Sequence, residues 1–148
     1  MGAVGDSEAV GGRVEVESLV VRGGAFHNKI VEEVRAVFLS CGWGGETEFC
    51  CQRNGITTFF DVYAVKGDVE IACEVETTAR HAIDNARKAE AVGIHVWFVV
   101  PTRKLQRQIV CRFTKPGLIP NNKSIKVFLL GELERELSRH QSIRKQIC

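Results

Sequence analysis

The chain is short of several things, and each shortage closes off a class of protein. Its 148 residues hold 3 prolines, 1 methionine and 1 tyrosine, with aromatics at 7%. A proline-rich spacer or recognition segment is excluded. No apolar run approaches the roughly 20 residues that a membrane span needs. Residues Met1 to Arg22 lack the apolar stretch of a secretory leader, so the expected location is the cytoplasm. There are 6 cysteines but no C-x-x-C pair, and Cys50 and Cys51 would point to opposite faces of a strand, which disfavours zinc. Cys41, Cys73 and Cys111 sit at apolar positions of expected elements, as reduced, buried thiols do. Charge of one sign is also lacking: 20 Lys and Arg face 18 Asp and Glu, for a net +2. Any electrostatic information therefore lies in where the charges are placed.

What is present fits one domain with a full core. Residues 1–22 are Gly-rich with alternating Val and Glu, and read as a flexible tail or an edge strand; 23–148 read as the domain. The stretch TTFFDVYAVKGDVEIACEVETT sets three carboxylates, Asp61, Glu74 and Glu76, into an apolar, β-branched and aromatic segment, where isolated charges are costly. Period-2 alternation sends Val69, Ile71, Cys73 and Val75 to one face and Glu70, Ala72, Glu74 and Glu76 to the other. Lys66-Gly67-Asp68 can fold the preceding run back beside this one, which sets Asp61 opposite Cys73 or Glu74. On an exposed sheet face these acids would simply be solvated. Inside strands, converging carboxylates are better explained by a hard divalent cation such as Mg2+, with Mn2+ able to substitute.

The surrounding pattern predicts an element order. A helix from about Phe26 to Cys41 carries Ile30, Val31, Val34, Val37, Phe38 and Cys41 at three- and four-residue spacing, with Gly42 as its stop. Strands follow at Glu46 to Gln52, Thr57 to Val65 and Val69 to Glu76, the first two joined at Asn54-Gly55. Thr77 and Thr78 can cap a helix from about Ala79 to Val92 that buries Ala82, Ile83, Ala86 and Ala89. The apolar run His95 to Val100 reads as a central strand, with Trp97 and Phe98 in the core. A helix over about 102–113, a strand over 124–130 and a helix over about 132–146 complete the chain.

An acid on one strand, then Glu74-x-Glu76 on the next, within an α-β-β-β-α-β order, resembles the PD-(D/E)xK nuclease superfamily. In that pattern Asp61 is the first acid and Glu74 the second, while Glu76 stands where a lysine is usual; an E-x-E version is found in some restriction endonucleases of the superfamily. The run GGAFHNKIVEEV is similar to the opening of archaeal Holliday-junction resolvases, with His27 where those have an acid. The resemblance implies an α/β fold with a restriction-endonuclease-like αβββαβ core: a mixed central sheet flanked by helices, here with a C-terminal helix-strand-helix extension. It implies a metal-dependent DNA endonuclease in which Asp61, Glu74 and the Val75 carbonyl bind Mg2+ and Glu76 orients water or helps bind a second ion. A homodimer is the expected assembly.

Other residues extend the expectation. On the first helix His27, near the apolar side, is a candidate catalytic residue able to help support a second ion, or else caps or packs; Glu33 on the flank is a candidate fourth acid, or else an ordinary surface residue. On the later helix His81, Asn85 and Lys88 share one flank, so Lys88 can stand in for the missing lysine, or simply be solvated. Arg103, Lys104 and Arg107 begin a run of basic positions suited to phosphates, although scattered cations on a helix usually mean only a solvated face. The other readings kept open are a catalytically inactive nuclease-fold module for DNA binding or assembly, and a nuclease subunit that needs a protein partner.

Overall fold

The protein is described by a computed structural model over residues 18–115 and 125–147, with side chains over 24–115 and 125–139. The first helix, α1 (Ser18–Ser40), starts earlier than expected and takes in Ser18 to Arg22 of the stretch read as tail or edge strand. Residues 1–17, the rest of that expectation, lie outside the described residues. The chain divides into two compact units, Met1–Ile30 and Val31–Cys148. In the second unit Val31, Val34 and Phe38 are buried at the spacing that marked them in the sequence. Gly42, at φ 88°, ends the helix in a conformation that costs glycine little. The Phe38 carbonyl then accepts from the Trp43 N–H, and the two rings meet edge to face at 5.5 Å.

Three antiparallel strands follow: β1 (Gly44–Arg53), β2 (Ile56–Lys66) and β3 (Val69–Val75). Asn54 and Gly55 both take positive φ, 55° and 74°, the hairpin geometry that Asn-Gly favours and that twists with the strands. At the second hairpin Lys66 pairs with Val69 and Val62 with Cys73. Of the two registers open in the sequence, this one aligns Asp61 with Glu74.

α2 (Ala82–Val92) begins later than expected. Its N-cap is His81, which makes no side-chain capping bond; the Thr78 hydroxyl instead accepts from the Arg80 N–H at 3.3 Å. Thr78 thus shapes the turn into the helix and does not cap it. Ala82, Ala86 and Ala89 form the buried stripe, and Gly93 closes the helix at φ 75°. β4 (His95–Val100) runs parallel to β3, as a helical crossover requires. α3 (Arg103–Phe113) is capped by Thr102, whose hydroxyl accepts from the Leu105 N–H. β5 (Lys126–Leu129) pairs parallel with β4, and α4 (Leu130–Ile147) follows.

The sheet is mixed, in the order β1-β2-β3-β4-β5. This is an α/β protein whose elements run α-β-β-β-α-β, the expected order, followed by a helix-strand-helix extension. One buried cluster joins Phe60, Ala72, Val96, Phe98 and Val100 of the sheet to Ala82, Ala86 and Ala89 of α2 and Ile109 and Phe113 of α3. Trp97 and Phe98 are core residues, as expected. So are Cys41 and Cys73, but Cys111 is exposed: α3 buries Leu105, Ile109 and Phe113, and Cys111 falls off that stripe. Among the described residues no helix is long and apolar enough to cross a membrane.

Candidate active site

The strand pairings bring the acids together. Thr47 pairs with Val62, Phe49 with Phe60, and Val62 with Cys73. Continued by one residue, these registers line up Glu48, Asp61 and Glu74 across three strands. Asp61 is half-buried, and its Oδ2 accepts from the Val75 N–H at 2.8 Å. A side chain thus takes a backbone donor at the end of β3, which holds the Asp61 carboxylate against the neighbouring strand. Glu74 is 3% exposed and sits beside Phe98 in the parallel register.

Burial pushes the Glu74 carboxyl up to about 9, and the charge of Asp61 and a hydrogen bond with it push in the same direction. Two carboxylates in one dry site cannot both ionise cheaply, so without a cation Glu74 keeps its proton at neutral pH. Its Oε2 is buried without a hydrogen-bond partner. An orphaned carboxyl oxygen beside a second carboxylate is a donor set suited to a hard cation.

Helix α2 supplies the next groups. Glu76 is 6% exposed; its N–H donates to the Val99 carbonyl at 3.0 Å, and its Oε2 accepts from Asn85 Nδ2 at 2.5 Å. Lys88 Nζ lies 3.5 Å from the Phe59 carbonyl, two residues before Asp61, at the long limit for a hydrogen bond. Its positive charge opposes the upward shift at Glu74. Of this flank of α2, Asn85 bonds an acid directly, whereas Lys88 rests against the Phe59 carbonyl and acts on Glu74 through its charge.

The remaining expected residues divide. Val75 is buried, and its N–H is committed to Asp61. Glu33 lies exposed on α1. His27 belongs to the first unit, where its Nδ1 lies 3.4 Å from Asn28 Oδ1. Among the described residues no three His, Cys, Asp or Glu side chains converge tightly enough to cage an ion. The site is centred on the Asp61–Glu74 pair, with Glu76 turned to Asn85. Arg103 is tied to Glu132 at 2.9 Å and to Gln106 at 2.6 Å, while Lys104 and Arg107 are exposed.

Glu48 was missed in the sequence. It is exposed and takes φ 51°, a left-handed conformation uncommon for glutamate, in the row beside Asp61. The Asn54-Gly55 turn held the signal, since a two-residue hairpin there already pairs position 48 with 61. A second polar cluster also escaped notice. Arg53 grips Glu70 with two bonds of 2.7 Å, and the Tyr63 hydroxyl donates to the same carboxylate at 2.6 Å. Arg53 foremost, with help from Tyr63, holds the Glu70 carboxyl down at about 2.

No protein-family model matches the chain, and no curated protein matches it. Among solved structures, the crystal structure of a protein of unknown function, AF1548, is similar, with a TM-score of 0.47 and 15% identity over 69% of this chain. The chain spans 57% of the length of that protein's chain.

Proposed function

We propose that the protein is a divalent-cation-dependent DNA endonuclease of the PD-(D/E)xK type, with Asp61 and Glu74 as the cation-binding acids. The observation that carries this reading is the buried Glu74 carboxyl, hydrogen-bonded to Asp61 and left with one oxygen unpartnered. A merely structural glutamate in a core would be expected to have both oxygens satisfied.

Asp61 and Glu74 would hold the cation, Mg2+ or Mn2+, with the Val75 carbonyl the nearest backbone donor in the resembling pattern. A cation held there would supply a water of lowered pKa and charge to offset that of the phosphodiester transition state. The Val75 N–H holds the Asp61 carboxylate against β3, which orients it for that role. Glu74 would have to be ionised to hold the cation, its proton passing to solvent. Glu76, steadied by Asn85, orients the attacking water. Lys88 brings, from α2, the positive charge that the lysine two residues after the second acid usually brings in this pattern. Cutting both strands of a duplex calls for two such sites, so the proposal includes a homodimer.

The test is cleavage of labelled single-stranded, duplex, flap and four-way-junction DNA in Mg2+ or Mn2+, by wild type, Asp61→Ala and Glu74→Ala. The expected result is cutting that needs the cation and falls at least a hundredfold in either variant. Wild type that cuts none of these substrates in either cation would overturn the reading and leave a DNA-binding or assembly module, for which Glu76 at the lysine position is the favouring feature.

A further inference from the structure

Beyond the acids, an open groove is lined by Ala79, Arg80, Arg107, Gln108, Cys111, Arg112 and Lys115. Four of its residues are cations and none is a carboxylate. Among the described residues none of the four forms an ion pair; Arg112 donates to the Ala79 carbonyl at 3.2 Å, which joins the two walls. Unbalanced positive charge in a groove raises the local potential and draws a polyanion. All four side chains are exposed, so they can reach phosphates at little desolvation cost. Arg103, the first residue expected to bind DNA, has its charge met by Glu132 and is a poorer candidate.

The groove also lies close to the acids along the chain. Arg80 is four residues after Glu76, so the two Cα atoms are at most about 14 Å apart. Along a duplex axis, where each strand carries one phosphate per roughly 3.4 Å, that span matches about four phosphates of one strand. A backbone lying in the groove can therefore extend to the carboxylates within a few nucleotides.

We infer that this groove is the seat of a duplex DNA backbone, with Arg80, Arg107, Arg112 and Lys115 as its phosphate contacts. The inference deepens the nuclease reading and rests on it for the identity of the polyanion. The experiment is fluorescence anisotropy of a labelled DNA duplex against the full chain in EDTA, from 50 to 300 mM salt, so that binding is read without cutting. Arg107→Ala and Lys115→Ala should each weaken binding by roughly fivefold to tenfold at 0.1 M salt and lower the log–log salt slope by about one. Arg103→Ala should change both by less than twofold. Circular dichroism checks that each exposed-site variant stays folded. Equal losses in Arg103→Ala and the groove variants, no binding by wild type, or tighter binding of an RNA duplex would each overturn the assignment. The two readings separate cleanly. Groove variants that lose binding in a protein that never cuts DNA leave the groove standing and sink the nuclease. Cutting by wild type and groove variants alike does the reverse.

Discussion

Glu74 is a carboxyl in a place where an ionised one is expensive, and its proton makes stability depend on pH. Its folded pKa, about 9, lies above the ordinary carboxyl value of 4.5. Its contribution is therefore fully present below about 4.5 and is lost as pH rises toward 9, because the unfolded chain releases the proton first. Within that window each pH unit costs at most about 1.4 kcal/mol. In EDTA, Glu74→Gln should flatten the fall in urea midpoint between pH 6 and 9; a wild-type midpoint that does not fall over that range would contradict the buried, protonated state. Lys88 acts on the same group with the opposite sign. Under the proposed nuclease activity, Lys88→Gln should shift upward the limb of the cleavage pH profile that reports Glu74 deprotonation, whereas a lysine that is only solvated would leave that limb where it is. These residues were partly readable in the sequence. Asp61, Glu74 and Glu76 stood out because acids are costly inside strands, and Lys88 because helical spacing set it with Asn85. Glu48 was not found, since its row beside Asp61 depends on pairing a weakly alternating strand. Arg103 looked like a phosphate ligand because Glu132, its partner 29 positions away, is invisible to local spacing.

At the scale of elements, turn chemistry was the most legible signal and helix starts the least. Asn54-Gly55 and Gly67 stand where the chain needs positive φ, and both hairpins formed where expected. Gly93 works the same way at the end of α2: φ is 75°, and a Cβ there would meet nothing within 4 Å. Gly93→Ala should therefore destabilise through conformation alone, by about 1 kcal/mol in chemical denaturation. A loss above about 3 kcal/mol would point instead to a packing role. The start of α2 was misjudged because Thr77-Thr78 resembles a cap, yet Thr78 closes a tight turn on Arg80. The three antiparallel strands carry their own clasp. Glu70 on β3 is gripped by Arg53 at the end of β1 and by Tyr63 on β2, and its carboxyl lies near 2, below the usual 4.5. Its stabilisation is present above about 4.5 and is lost as pH falls toward 2. Because the pair is partly exposed, Glu70→Gln should cost only about 1 kcal/mol at pH 7 and almost nothing near pH 2, read from thermal melts at the two pH values.

Across the whole second unit, one buried cluster couples the sheet to α2 and α3, and Phe98 lies at its centre, fully buried and 5.3 Å from the Phe113 ring. Phe98→Ala should cost about 3–5 kcal/mol, a large part of the 5–15 kcal/mol typical of a domain, as a lower urea midpoint at unchanged slope. The same packing carries the candidate site, because Glu74 pairs with Phe98. The order of helices and strands, the apolar stripes that became this core and the presence of acids within two neighbouring strands were all determined by the amino-acid sequence itself. Period, turn residues and the cost of charge in a strand act over a few positions and can be read there. Tertiary structure alone decided that Asp61 takes the Val75 N–H, that Glu74 keeps an oxygen without a partner, that Asn85 holds Glu76, and that Glu132 neutralises Arg103 while four other cations share a groove. Those outcomes depend on partners brought together by packing, and no local pattern encodes how two distant side chains will divide a buried space.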